Sequence, residues 1–451
     1  MNHAANVVAE LPSAEELAAK EISRLAPRPT SLAQTGLSAV FVADLLGKHL
    51  ASSGVLSLSQ LIERLALAGP IVEQVLQWMR KEGRVEVRAR AGMDADLRFG
   101  LTERGRAEAL DAMMRGGYVG PAPVPLPDYA AMVRRQTVHA GRVTRAGMRQ
   151  AFRDVVISDA MLDQLGPALN SGRAIFIYGS AGTGKTFIAK RLSRALGGLV
   201  LVPHAIAVNE TVIQVFDPLS HLQMELVDGP SPLMLEHGFD PRYVLCERPV
   251  VVSGGELTGE MLEVQCDATA REYNAPLQLK ANNGLLLIDD LGRQRISPEA
   301  LFNRWIVPME EKRDYLTAGP GQHFTVPFDV VLVFSTNLDP SELADDAFLR
   351  RIGYKIAFRP VSSEQYREIW DGVCAERNVR CDPDVADYVI YELHAKRGVP
   401  LLPCHPRDLL GMARDRVAYA GADELITTET LRWAWESYFV EPTTDSGEDA
   451  C

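Results

Sequence analysis

The octapeptide Gly179-Ser180-Ala181-Gly182-Thr183-Gly184-Lys185-Thr186 follows the apolar run Ala174 to Tyr178 and precedes the helix-forming stretch Phe187 to Leu192. No other feature constrains the fold as tightly, because a glycine-rich turn between a buried strand and a helix is the setting of a phosphate-binding P-loop. The glycines let successive backbone N–H groups turn inward around a triphosphate, and the helix points its positive dipole end at the same anion. In such a loop Lys185 is placed to reach the β- and γ-phosphates, and the Thr186 hydroxyl to bind magnesium. The motif predicts an α/β P-loop domain, a parallel sheet flanked by helices, that takes ATP and Mg2+.

Two more apolar runs end in polar residues. Gly284-Leu285-Leu286-Leu287-Ile288-Asp289-Asp290 reads as a buried parallel strand delivering its acids to the carboxyl edge of a sheet, where nucleotides bind in α/β folds. Asp289 is placed to hold magnesium directly or through water, and Asp290 stands where the base for the attacking water is expected. Val330 to Phe334, followed by Ser335-Thr336-Asn337, is a third strand of the same kind.

This order of P-loop, acidic strand and polar-ended strand resembles the core of the AAA+ ATPases, over about residues 152 to 440. The resemblance implies that Asn337 is the polar sensor. Asp346-Ala347-Phe348-Leu349-Arg350-Arg351-Ile352 is similar to the segment that carries the arginine finger. Arg351 matches the finger best by its offset from Tyr354-Lys355-Ile356, with Arg350 as the alternative. Cys404-His405-Pro406-Arg407-Asp408-Leu409-Leu410 is similar to the lid motif that supplies a second sensor arginine, matched by Arg407. The alternative for Arg407 is a helix-start salt bridge with Asp408, and His405 reads as structural. A finger acts across a subunit boundary, so the likeness implies a homo-oligomeric ring, a hexamer.

The general plan looks closest to the MoxR-like ATPases, which implies a chaperone role in remodelling or maturing a partner protein. Two features depart from it. Asp289-Asp290 replaces the usual Asp-Glu, retracting the base by about one methylene, or ~1.5 Å, so hydrolysis is expected to be slow or assisted. The second departure is the long segment from Leu199 to Asn283. Its strand-like pieces Tyr243 to Leu245, Pro249 to Val252 and Met261 to Val264, with Gly254-Gly255 between the last two, suggest an inserted hairpin facing a pore or a partner, or filling a core.

The 451 residues divide further. Residues 1–35 read as a flexible arm with a short helix from Ala14 to Leu25. Residues 36–118 carry three helical apolar stripes, a capping box at Ser57 and Gln60, a first-turn proline at Pro70 and two extended pieces around a Gly/Asp turn. That order resembles a winged helix, an α+β domain. Its third helix mixes Glu73 and Glu82 with Arg80 and Lys81, which favours docking protein over duplex DNA. Residues 119–130, with alternating prolines, read as an extended linker. A basic stretch with Arg134, Arg135, Arg142, Arg145, Arg149 and Arg153 reads mostly as solvated helix positions, with a subunit interface near nucleotide as the alternative for some of them. The nucleotide-binding core is assigned to 131–360, with an insertion at about 200–283. A helical lid opened by a capping box at Ser362 and Gln365 spans 361–440, and 441–451 is an acidic, disordered tail.

A net charge of −12 argues against broad attraction to nucleic acid or anionic lipid. The six cysteines show no spacing that suggests zinc or a redox motif and are expected to stay reduced. The amino terminus lacks a signal-peptide pattern and no apolar run is long enough to cross a bilayer, so a cytoplasmic protein without membrane insertion is expected. Two other readings stay open. One is a DNA-linked AAA+ ATPase of replication, transposition or transcription; the other is a slowly hydrolysing, nucleotide-gated binding switch.

Overall fold

A computed structural model describes residues 24–88, 96–224, 238–319, 321–343, 346–421 and 425–439, with only the backbone of 346–348. Nearly all of the expected helix from Ala14 to Leu25, the Gly/Asp turn at 89–95 and the expected tail at 441–451 lie outside these residues. Among the described residues, no helix is long and apolar enough to cross a membrane.

In chain order, after a four-residue helical turn at Leu32–Thr35, come α1 (Ala39–Ser53), β1 (Leu56–Ser57), α2 (Leu58–Leu65), α3 (Gly69–Lys81), β2 (Val85–Arg88), β3 (Arg98–Leu101) and α4 (Glu103–Arg115). There follow β4 (Val124–Pro125), α5 (Leu126–Arg135), α6 (Arg145–Ala151), α7 (Asp159–Asn170), β5 (Ile175–Tyr178) and α8 (Lys185–Leu196). Next come β6 (Leu199–Pro203), β7 (Ala205–Val208), β8 (Thr211–Gln214), β9 (Tyr243–Glu247), β10 (Val250–Ser253), β11 (Gln265–Asp267), β12 (Glu272–Asn274) and β13 (Gly284–Ile288). The chain continues through α9 (Pro298–Glu311), β14 (Arg313–Thr317), β15 (His323–Pro327), β16 (Val330–Thr336) and β17 (Tyr354–Ala357). It closes with α10 (Ser363–Arg377), β18 (Arg380–Cys381), a π-helical stretch Tyr388–Ala395, α11 (His405–Ala420), β19 (Leu425–Ile426) and α12 (Thr428–Tyr438). The central sheet has the strand order β10-β13-β16-β5-β17, and β5 pairs in parallel with both β16 and β17.

The chain forms two compact units. The first comprises residues 1–142, 196–287 and 293–332. Its amino-terminal part packs α1, α2 and α3 against the three-stranded sheet β1-β3-β2. Local signals set these elements as expected. Ser57 and Gln60 form the capping box of α2, Pro70 occupies the first turn of α3, and β2 pairs antiparallel with β3. Leu46, Leu61, Leu65 and Val72 are fully buried there, each removing ~1.5–3 kcal/mol worth of apolar side chain from water. The same cluster takes in Tyr118, Ala122 and Ala205.

Two expectations fail in this unit. The proline-rich stretch is no solvated spacer: Val124 and Pro125 pair in parallel with Ile206 and Ala207, and Ala122 and Val124 are wholly buried. Pro125 is tolerated because β4 is the edge of the sheet β11-β12-β8-β7-β4, where a missing N–H costs no ladder bond. Nor is there an inserted hairpin at 249–264. β9 pairs antiparallel with β6, β10 joins the central sheet beside β13, and Glu260–Leu262 is a 3-10 turn. Strand propensity was right for the first two pieces, but the partners are distant in sequence.

The second unit comprises residues 143–195, 288–292 and 333–451. Two exposed ion pairs, Arg145 with Asp163 at 2.7 Å and Arg149 with Asp159 at 2.7 Å, account for part of the basic stretch as solvated helix positions. The carboxyl-terminal helices close over Tyr366, Trp370, Leu409, Leu410 and Trp435. Ser362 and Gln365 form the expected capping box at the start of α10.

Candidate nucleotide site

The second unit brings together residues from three separated stretches of sequence. β5 ends at Tyr178 and α8 begins at Lys185, with the glycine turn between them. Gly179, Gly182 and Gly184 adopt φ values of 144°, 82° and 84°, a region that side chains with a Cβ rarely occupy. Crowding adds to the backbone demand. A Cβ on Gly179 would lie 2.2 Å from the carbonyl oxygen of Phe358, and one on Gly182 would lie 2.6 Å from Cys404 Sγ. Thr183 Oγ1 donates to the Ser180 carbonyl at 2.8 Å and ties the turn across its own width.

Lys185 is buried, and its ammonium donates to the carbonyls of Gly179 and Ser180 at 2.8 Å each and to Asn337 Oδ1 at 2.7 Å. Burial pulls its pKa below that of an ordinary lysine, and the nearby charges of Asp289 and Asp290 oppose that shift. Asn337 stands just beyond β16, and its amide completes a bridge by donating through Nδ2 to Asp290 Oδ1 at 3.1 Å. Thr186 Oγ1 donates to Asp289 Oδ2 at 2.7 Å. Asp290 takes a left-handed backbone, φ 49°, and its N–H donates to Asp289 Oδ1 at 3.1 Å. The loop after β13 is held by two further bonds, from Leu291 N to the Ser335 carbonyl and from Thr336 Oγ1 to the Leu291 carbonyl, each 2.8 Å.

These donors and acceptors fit a magnesium-bound triphosphate. A glycine turn opening onto a helix start suits an anion, and a buried ammonium held by three neutral oxygens can exchange them for phosphate. The hydroxyl of Thr186 and the carboxylate of Asp289 are hard oxygen ligands of the kind magnesium prefers. Among the described residues no group of three or more His, Cys, Asp or Glu could hold a metal alone. A metal here would therefore draw the rest of its shell from phosphate and water, as magnesium commonly does.

The other expected residues stand outside these particular hydrogen bonds. Arg350 and Arg351 close a six-residue helix, Asp346–Arg351, and both are exposed. Arg407, in the first turn of α11, lies 3.2 Å from Glu376 Oε2, while its backbone carbonyl accepts from Arg377 Nη1 at 3.3 Å. Its alternative partner Asp408 instead accepts from the Tyr438 hydroxyl at 3.0 Å. His405 is buried in an aromatic nest with its ring 5.0 Å from that of His394, and burial lowers its pKa to about 4. That placement fits its structural reading.

Sequence reasoning did not find Phe358, Leu402 or Cys404, which wall the glycine turn, nor Glu376 as the partner of Arg407. Cys404 stands in the lid motif, but its contact with the turn, like those of the other three, arises only through the fold.

A family model described as a domain of unknown function (DUF8689) matches residues 362–437, the span from the cap of α10 into α12. No curated protein matches the chain in sequence. Among solved structures, a Thermotoga maritima RuvB Holliday junction branch migration motor is 14% identical, with a TM-score of 0.36 over 65% of this chain and 74% of that one. NtrX from Brucella abortus is 13% identical, with a TM-score of 0.38 over 68% of this chain and 61% of that one. The complex of magnesium chelatase subunits BchI and BchD offers a chain 17% identical, with a TM-score of 0.32 over 63% of this chain and 93% of that one. Likeness at this distance leaves function to be read from the site itself.

Proposed function

We propose that the chain is a magnesium-dependent ATPase of the AAA+ type. The observation that carries this reading is the contact set in which Thr186 meets Asp289 and Asn337 bridges Lys185 to Asp290, across separations of 103, 152 and 47 residues. Lys185 would hold the outer phosphates, and Thr186 and Asp289 would hold magnesium, which when bound neutralises phosphate charge. Asp290 would accept the proton of the attacking water, with Asn337 orienting its carboxylate. Arg351, or Arg350 beside it, would stabilise transition-state charge in a neighbouring subunit of a ring, and Arg407 would sense the nucleotide from the lid.

Steady-state ATP hydrolysis by the full chain tests this reading. Phosphate release that needs magnesium and disappears in Asp290→Asn is the expected result, and release unchanged by that substitution would remove the assignment.

The biological role proposed is the remodelling of a protein partner, as in MoxR-like ATPases, with the winged-helix-like module choosing that partner. Charge pairing supports protein over DNA. Around α3 and β2, Arg84 pairs with Glu108 and Asp44, Arg88 with Glu86, and Arg104 with Glu108 and Glu82. Arginines so neutralised contribute little to phosphate binding. Tight, salt-sensitive binding of duplex DNA by the full chain would favour the DNA-linked alternative. The short Asp290 side chain, already engaged by Asn337, supports the further alternative of a slow nucleotide-gated switch, which the turnover number decides.

A further inference from the structure

Six residues separate Cys374 from Cys381, a spacing with no redox pattern, yet the fold sets their Sγ atoms 3.6 Å apart. Cys374 lies in the last turn of α10. The helix stops at Asn378, whose left-handed φ of 52° reverses the chain, and Val379 N donates to the Cys374 carbonyl at 2.9 Å. The returning strand β18, which carries Cys381, is fixed by parallel pairing with β19. Both thiols are half-buried, so a small oxidant can reach them. The two residues that contact Arg407, Glu376 and Arg377, lie inside the loop that the cysteines bracket.

We propose that Cys374 and Cys381 form a dithiol site that reacts with hydroperoxides and closes reversibly to a disulfide, altering the setting of Arg407. The effect on Arg407 rests on the nucleotide reading given above; the dithiol chemistry does not. The hydrogen bond between the two sulfurs holds the Cys374 thiol below the usual thiol range, which makes it the attacking group. Its thiolate takes the terminal oxygen of hydrogen peroxide as the O–O bond breaks, and the hydroxide released is protonated to water. The Cys381 sulfur then attacks the sulfenic sulfur and displaces a second water. Two thiols and one peroxide become one disulfide and two waters, with two electrons passing from sulfur to oxygen. Closure to a normal S–S bond of ~2.05 Å brings the sulfurs together by roughly 1.5 Å, and in this proposal the end of α10 and strand β18 follow them toward each other. Glu376 and Arg377 ride on that end.

The test treats the full chain with hydrogen peroxide, blocks remaining thiols with N-ethylmaleimide and maps peptides by mass. A linked Cys374–Cys381 peptide, two hydrogens lighter than the reduced pair and restored by dithiothreitol, is expected. It should be absent in Cys374→Ser and in Cys381→Ser. Affinity for a fluorescent ATP analogue should shift severalfold on oxidation of the parent and not of either variant. Both cysteines recovered as maleimide adducts, or Cys374 over-oxidised without linkage, would overturn the dithiol site. Linkage with unchanged affinity would overturn the effect on Arg407. Linkage in a chain that binds no nucleotide in either state would instead overturn the nucleotide reading.

Discussion

The hydroxyl of Thr186 donates a 2.7 Å hydrogen bond to Oδ2 of Asp289, so the start of α8 and the end of β13 already face each other as two hard oxygen groups. A cation at this point would take both oxygens, and the hydroxyl would turn its proton away. Asp289→Asn should therefore raise the magnesium concentration needed for nucleotide binding by roughly 10- to 100-fold. Asp290→Asn should keep binding and lower turnover on the order of 100-fold or more. Magnesium titrations of analogue binding beside initial rates separate the two. Equal effects on both readouts would deny the division of roles.

Lys185→Ala removes an ammonium that meets three oxygens. Charge-assisted hydrogen bonds are worth ~1.5–3 kcal/mol, so affinity should fall roughly 10- to 150-fold. Equilibrium titration with the analogue reads this directly.

Gly182→Ala should also weaken binding, for a steric reason. The residue sits at φ 82° with Cys404 Sγ 2.6 Å from any added Cβ. A left-handed alanine costs ~1–2 kcal/mol before the contact is counted. Adding Cys404→Ala should recover the part due to the contact and leave the backbone part. No recovery in the double variant would mean that Cys404 does not press on the turn.

Arg351→Ala should bind ATP nearly normally while turnover falls by a factor of ~10³. Mixing it with Lys185→Ala, which keeps its arginine but binds ATP poorly, should restore some activity if sites are shared between subunits. Full activity of Arg351→Ala as a monomer would refute the ring, once Arg350→Ala has been measured as well.

His405 supplies a pH signature. It is buried beside His394 in the folded chain with its pKa lowered from 6.5 to about 4. The unfolded state therefore binds more protons between those values, and stability rises with pH through that window. The contribution is complete above about 6.5 and is lost as pH falls toward 4. Urea midpoints followed by tryptophan fluorescence should fall less steeply with acid in His405→Phe than in the parent, and parallel curves would deny the effect.

What could be read from the sequence follows from how local each signal is. The glycine turn, the capping boxes at Ser57 and Ser362, and the acids after Ile288 are written in neighbouring residues, and they appear where expected. Strand character at Tyr243 to Leu245 and Val250 to Val252 was equally legible. Their partners were not. β6 and β13 lie far along the chain, and a short apolar run carries no address for the strand it joins. Arg407 shows the same limit: Asp408 was its neighbour in sequence, but the helix start turns the guanidinium toward Glu376. Cys374 and Cys381 meet only because Asn378 reverses the chain between them.

Val124 and Pro125, threaded into the sheet beside Ile206 and Ala207, bear on how this protein could be cut or recombined. A proline-rich stretch usually invites a shuffled boundary, where one module is traded for another with little loss. Here a crossover at that point would strip an edge strand from one parent and leave Ala205 and the β7 strand without the residues that cover them. Chimeras that exchange the amino-terminal region should therefore fold only when both donor segments, 119–135 and 199–214, travel together.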